Sequence, residues 1–178
     1  MKRILFFTVG LALTLMQFSC DFDFDFDDGP CVRGNRNVVS RELNLPNFNG
    51  ISLQISADVV ITQGNDRKVE VEGESNIIAE LETNVRNGIW EIEFDHCVRN
   101  MDKLTIYITV PNVNSLRISG SGDITSTNII KTGDIDLSIS GSGKIDVGLD
   151  ADDIVSKISG SGNVILEGEC NSIENNVS

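Results

Sequence analysis

Few residues in this chain could do chemistry, and their spacing fails most of the reactions they suggest. Gly141-Ser142-Gly143-Lys144 resembles part of a phosphate-binding loop, in which backbone N–H groups cradle phosphates and a lysine reaches them. That loop needs a glycine five places before Gly143, where Ser138 stands, and a serine or threonine after Lys144, where Ile145 stands. His96 is the only histidine, so a catalytic triad or histidine metal centre would have to pass through one residue of Asp95-His96-Cys97. Asp150, Asp152 and Asp153 could pair for acid–base work, yet in a chain with 27 acidic residues such neighbours carry no signal. Glycine-rich calcium repeats keep a period of about nine and a regular aspartate. Here the matching position runs Asp123, Lys144, Asn163. No catalytic, cofactor or metal residue is assigned.

The same glycines and serines belong to a longer pattern. Ile118-Ser-Gly-Ser-Gly-Asp-Ile124 returns as Ile139-Ser-Gly-Ser-Gly-Lys-Ile145 and as Ile158-Ser-Gly-Ser-Gly-Asn-Val164, at intervals of 21 (139 − 118) and 19 (158 − 139). Repeats of about 20 residues indicate units that stack because none can bury its apolar side alone. In an extended chain the isoleucines and Gly120, Gly122, Gly141, Gly143, Gly160 and Gly162 face one way, and the serines face the other. The isoleucines fill a core. The glycines let the wall bend or approach a neighbour closely. Coils stacked about 4.8 Å apart would align Ser119, Ser140 and Ser159 in one ladder and Ser121, Ser142 and Ser161 in another. Hydrogen bonding along these ladders makes the motif a structural device first; the alternative is a polar strip that binds a ligand. Ile55 to Ile61 resembles a degenerate copy three periods earlier, and Val177-Ser178 falls where another copy would begin.

The elements that must hold this pattern are strands. From Val38 onward apolar residues recur at every second place: Leu43 and Leu45, then Ile51, Leu53 and Ile55, then Val59 and Ile61, then Val69 and Val71. Pro46, Asn49-Gly50, Gly64-Asn65-Asp66 and Gly73 break the runs. Asn87-Gly88 between Val85 and Ile89 is a strong hairpin signal, and Leu104 to Val110 is a further strand ended by Pro111. Only Ser75 to Leu81 offers a helical window, and it is short.

Composition narrows the setting. Fourteen basic against 27 acidic residues give a formal charge of −13, which argues against nucleic acid and disfavours acidic polysaccharides and anionic lipid head groups. Residues 1–19 carry two basic residues and an apolar run from Ile4 to Met16, a signal peptide rather than a membrane span. Ser19-Cys20 resembles the end of a bacterial lipobox, which would make Cys20 the lipidated first residue; plain secretion with Cys20 as a thiol is the alternative. Asp21 to Asp28 alternates aspartate with phenylalanine. Mutual repulsion reads it as a solvated tether over residues 20–37 rather than a strand or a calcium loop. After Cys20 this run resembles the export tags of outer-membrane lipoproteins of Bacteroidota. Cys31, Cys97 and Cys170 remain, and in an exported protein one pair forms. Cys31 with Cys97 is the expected disulfide, because both lie in the irregular half, and Cys170 is expected to be a small buried residue. Phe48, Phe94, Trp90 and Tyr107 are the body's only aromatics, few for a sugar-stacking platform.

Three stretches together carry a family likeness: LNLPNFNGISLQISADVVITQG, VEVEGESNIIAELETNVRNGIWEIEF, and LTIYITVPNVNSLRISGSGDI with its echoes. They resemble the auto-transporter adhesin head GIN domain family, common in Bacteroidota. The resemblance covers residues 38–178 and implies an all-β, right-handed parallel β-helix with coils of about 20 residues and a hairpin-containing first half. It also implies that the chain lacks the family's final coils; it implies no catalytic residue. The expected function is that of a non-catalytic surface binding or adhesion module, anchored by lipid in the outer membrane and exposed at the cell surface, otherwise periplasmic or secreted. Its expected partners are glycans or cell-surface proteins. The alternatives are an envelope protein that self-associates through an uncapped coil end, or a polysaccharide-active enzyme. For an enzyme, Lys103, Arg117, Lys131, Lys144 and Lys157 are too dispersed to supply a clustered base.

Overall fold

Alternation of apolar and polar residues decides this fold, because each strand buries every second side chain and so needs a neighbour on the same face. The structure, a computed structural model, describes residues 31–178. The expected leader, the lipidation site Cys20 and the acidic run lie outside the described residues. Fourteen strands and one short helix follow in order: β1 (Val32–Arg33), β2 (Val38–Leu43), β3 (Gly50–Leu53), β4 (Asp58–Gln63), β5 (Lys68–Glu74), α1 (Ser75–Ala79), β6 (Val85–Arg86), β7 (Ile89–Ile92), β8 (Val98–Arg99), β9 (Thr105–Val110), β10 (Ser115–Ile118), β11 (Asp123–Thr132), β12 (Ile135–Gly141), β13 (Lys144–Gly160) and β14 (Asn163–Val177).

Apart from the small β1–β8 pair, the strands form one 12-stranded sheet in the order β2-β5-β9-β4-β11-β13-β12-β10-β3-β7-β6, with β14 on β13. The sheet is curled and open, its path ending at β2 and β6. Its curl is set by β13, whose first half pairs with β11 and whose second half pairs with β12, all parallel. In β13 the buried positions are Ile145, Val147, Leu149 and Ala151, then Ile154 and Ser156, so the alternation slips at the exposed pair Asp152-Asp153. Two consecutive polar residues let the strand turn from one wall to the other without exposing apolar surface.

The core is a set of ladders. Ile106, Val59, Ile124, Ile145 and Val164 stand in register on one wall. Ile92, Leu53, Ile118, Ile139, Ile158 and Val177 do so on the other. Removing each such side chain from water stabilises by about 1.5–3 kcal/mol when burial is complete. The intervals of 21 and 19 are those the repeat requires. The proposed early copy is out by two, because Ile118 pairs with Leu53 and not with Ile55: Ile55 is only half-buried, and Leu53 fills the core place.

The first half departs from a uniform parallel stack. β2 pairs with β5 and β5 with β9 antiparallel, and β6–β7 is the hairpin marked by Asn87 and Gly88, whose φ angles of 52° and 77° fit the tight turn such strands favour. Trp90, wholly buried, donates its indole N–H to the Glu82 carbonyl at 3.1 Å and packs on Phe48 with ring centroids 5.7 Å apart. The helix α1 packs against β5, β2 and β1 and buries Ile77 and Ile78.

Candidate binding surface

The repeat motif forms one narrow edge of the sheet, where the chain passes from β10 to β11, from β12 to β13 and from β13 to β14. Gly120, Gly141 and Gly160 align there, with Ser142 N donating to the Gly120 carbonyl at 3.1 Å and Ser161 N to the Gly141 carbonyl at 2.9 Å. A Cβ on Gly160 would lie 2.6 Å from the Gly141 carbonyl oxygen, and one on Gly162 would lie 2.8 Å from that of Gly143. Gly141 and Gly143 meet the carbonyls of Gly120 and Gly122 more tightly still, and a Cβ on Gly122 would meet Ala57 O at 2.5 Å. Each repeat glycine thus makes room for the backbone of the coil before it. Gly141 and Gly160 add φ values of 149° and 118°, which side chains resist.

Ser119, Ser121, Ser140, Ser142, Ser159 and Ser161 are all exposed. Ser140 pairs in register with Ser159. Their hydroxyls, expected to bond along the stack, make no side-chain hydrogen bond among the described residues; water is the better partner for a hydroxyl on an open face. The result is a strip of free donor–acceptor groups on a rigid backbone.

A hydrogen-bonded ladder does exist, at another corner that the sequence did not flag. The β4–β11 pairing ends at Ile61 with Ser126, and the β11–β13 register slips between Thr125 and Ile129. Beyond that point side chains supply the rungs. The Thr62 and Thr127 hydroxyls lie 2.7 Å apart. Asn128 exchanges two bonds with the Gln63 backbone at 3.0 and 2.9 Å. The Gln63 amide accepts from Lys131 N and donates to the Lys131 and Pro111 carbonyls. A side-chain amide carries the same donor and acceptor as a peptide group, so it bridges a gap in a ladder. This corner is occupied by its own structure and offers little to a ligand.

The remaining chemistry is scattered. Cys31 and Cys97 are bonded, with Cα atoms 4.6 Å apart. Cys170, expected to be buried, is exposed. It stands on the core-facing register opposite Ala151, but no layer packs over β14 among the described residues. His96 lies 2.9 Å from a Glu80 oxygen and 3.2 Å from one of Asp95, which hold its pKa above the ordinary 6.5, Glu80 by its hydrogen bond and Asp95 by its charge. Lys68 is raised by its bond to Glu70, and Glu70 is lowered by Lys68 and then Ser40. A crevice of about 370 Å³ lies between the loop after β2 and the turn before β5, lined by Leu43, Leu45, Phe48 and Arg67. Among the described residues no helix is long and apolar enough to cross a membrane.

Residues 47–178 match the family described as "Putative auto-transporter adhesin, head GIN domain", and the chain belongs to this family. Among solved structures, a protein described as a putative lipid binding protein from Parabacteroides distasonis aligns with a TM-score of 0.75 at 19% identity, over 82% of this chain and 65% of that one. The chain therefore spans less than two thirds of that relative's length. A putative adhesin from Bacteroides fragilis gives 0.72 at 22% identity, over 83% and 79% of the two chains. A putative adhesin from Parabacteroides distasonis gives 0.62 at 20% identity, over 82% and 72%. At these identities the likeness is one of fold. No curated protein matches the chain.

Proposed function

We propose that this protein is a non-catalytic binding or adhesion module of the cell envelope, exported by residues 1–19, lipidated at Cys20 and displayed on the outer membrane. In this reading the parallel strands of the curled sheet wind as a right-handed β-helix with coils of about 20 residues, and the antiparallel pairings belong to its hairpin-containing first half. Its serine columns are the contact surface for glycans or cell-surface proteins. The observation that carries it is the strip of six exposed serines whose hydroxyls have no bond within the described residues, in a member of an adhesin-described family. Exposed hydroxyls that bond to no other side chain among the described residues are open to a polar ligand as they are to water.

The test is binding of the chain to a broad glycan and cell-surface array at physiological salt, with Ser121, Ser142 and Ser161 replaced together by alanine. Loss of binding with the circular dichroism unchanged supports the strip as the recognition surface. Binding that is indifferent to the three serines removes them from it.

A second reading, self-association, is favoured by Ile165, Ile173 and Val177 on β14, which are 49%, 55% and 68% exposed. Light scattering across a dilution series tests it: a mass that falls on dilution supports it, and a constant monomer mass counts against it. Enzymatic action on polysaccharides is the weakest reading, since the basic residues of the repeat half are dispersed, two of them, Lys131 and Lys144, being paired with Asp150 and Asp146.

A further inference from the structure

We propose that Arg33 and Arg99 form a clasp for phosphate head groups of the membrane that carries the protein. β1 and β8 are parallel and set Val32 against Val98 and Arg33 against Arg99. Partners in register project to the same face. The half-buried valines therefore face the body, and both exposed arginines leave on the solvent side. Like charges directly opposite are destabilising, and among the described residues neither arginine has an ion-pair partner, whereas Lys68, Arg86, Lys103, Lys131 and Lys144 do.

The fold nevertheless fixes the two side by side. The Cys31–Cys97 link begins both strands, and Val32 N donates to the Cys97 carbonyl at 2.8 Å. The turns that follow are tied to one carboxylate: Glu74, 2% exposed, accepts from Arg36 N and, at 2.9 Å, from Asp102 N. Arg36 and Asn100 take φ values of 60° and 53° to allow this. Gly34 leaves the space that the Glu74 carboxylate occupies, and a Cβ there would displace it. A disulfide and the Glu74 carboxylate thus hold the two strands so that the backbones of Arg33 and Arg99 stand opposite each other at strand spacing, about 4.8 Å, from which two guanidinium forks can converge on one phosphate.

Local charge agrees. Segments 31–41 and 97–103 carry Arg33, Arg36, Arg41, Arg99 and Lys103 against Asp102 alone, while β14 carries Glu167, Glu169 and Glu174 and no basic residue. At physiological salt the net charge of −13 is screened beyond about 8 Å, so a surface in contact with the ribbon meets the arginines first. The choice of membrane over free phosphate rests on the lipid anchor proposed above. Cys31 lies eleven positions after Cys20 (31 − 20), and a chain of that length spans at most about 40 Å. Asp21, Asp23, Asp25, Asp27 and Asp28 compete in sequence with the phosphate, as Asp95 and Asp102 do near Arg99, so the test keeps them all.

The chain from residue 20 onward, with Cys20→Ser so that no acyl chain contributes, is sedimented with phosphatidylcholine vesicles with and without phosphatidic acid. Partition is expected to be stronger on the anionic vesicles. Arg33→Gln with Arg99→Gln should weaken it about thirtyfold, from a factor of about five per arginine at a charged surface. Arg117→Gln with Lys157→Gln, on the β10–β13 wall, should leave it unchanged. Disulfide mapping and thermal melting confirm that the ribbon is intact in each variant. Equal partition on both vesicles, or equal loss in both double variants, overturns the clasp. Full displacement by millimolar inorganic phosphate overturns the membrane as its source. Because the tested chain has no anchor, a failure of lipidation itself shows separately, in the mass of Cys20 from cells.

Discussion

Where β2 and β5 lie, α1 buries Ile77 and Ile78 against the sheet, Glu74 ties two turns together, and a disulfide closes 66 residues of chain. Where β14 lies there is no comparable device among the described residues. Along one ladder Ile139 is 0% exposed, Ile158 is half-buried and Val177 is 68% exposed. The difference follows from how each half is built. A strand of the repeat half is stabilised by its parallel neighbours and needs only the right residues in register. The first half has no copy of itself to lean on, so it uses antiparallel hairpins, a helix and a covalent bond, each specified by its own local residues.

The sharpest way to break the repeat half is to fill one of its glycines. Gly141→Val would force a β-branched side chain to adopt φ near 149° and into the Gly120 carbonyl, which is backbone and cannot turn aside. Strain and overpacking together amount to about 5 kcal/mol, enough to unfold many domains of this size. Ser140→Ala, one residue away and exposed, should fall within about 0.5 kcal/mol of the parent. Urea unfolding of the two variants measures both. A tolerant Gly141 would mean that the coils are not in the contact described.

The first half breaks differently. Replacing Cys31 and Cys97 by serine removes a link across 66 residues, and the chain-entropy estimate for a loop of that length is about 4 kcal/mol. The loss should appear as a lower urea midpoint, with hydrogen exchange accelerated first in β1, β8 and the Glu74 turns. Exchange that instead accelerates first in β13 would show that the two halves do not unfold separately.

These contrasts explain what could be read in advance. The strands, the 21- and 19-residue registers and the hairpin were legible because each is written in local spacing: alternating isoleucines, repeated glycines, Asn87-Gly88. The antiparallel β2–β5–β9 layer was not, because pairing partners far apart in sequence leave no periodic trace. The same is true of Glu74, one of many acidic residues until the fold places two backbone N–H groups on it. Cys170 was misread for a related reason. Its register is that of a core residue, but burial depends on a neighbour that β14 lacks among the described residues. The serines were placed correctly on the outside, yet their expected mutual bonds gave way to solvent. The ladder that does form, at Gln63 and Asn128, compensates a register slip that no local motif announces.

The two faces of the wall can be compared on two isoleucines, Ile145 in the core ladder and Ile165 in register with Asp146 on the outward face. Ile145 is 0% exposed and Ile165 is 49% exposed. Ile145→Ala should cost about 3 kcal/mol through lost burial and the cavity left behind. Ile165→Ala should cost well under about 1 kcal/mol, because half the side chain already meets water. Thermal melts of the two variants read the difference directly. Equal costs would mean that β14 is covered by a further layer in solution.

The smallest effect belongs to the first half's loop and concerns charge alone. His96 is exposed, and its pKa is raised above 6.5 chiefly by the hydrogen bond to Glu80 and next by the charge of Asp95. A folded-state pKa above the unfolded one means that protonated His96 is favoured by folding. The contribution is complete below about pH 6.5 and is lost as pH rises through the folded value. Because the pair is open to solvent, its effect on stability should be hard to detect, and the titration itself is the better observable. The His96 ring protons, followed by NMR, should titrate above 6.5. Glu80→Gln should lower the midpoint while Asp95→Asn lowers it less, since the hydrogen bond outweighs the second charge. A reversed order would place the imidazole beside Asp95 rather than Glu80, and with it the orientation of the loop that leads into Cys97.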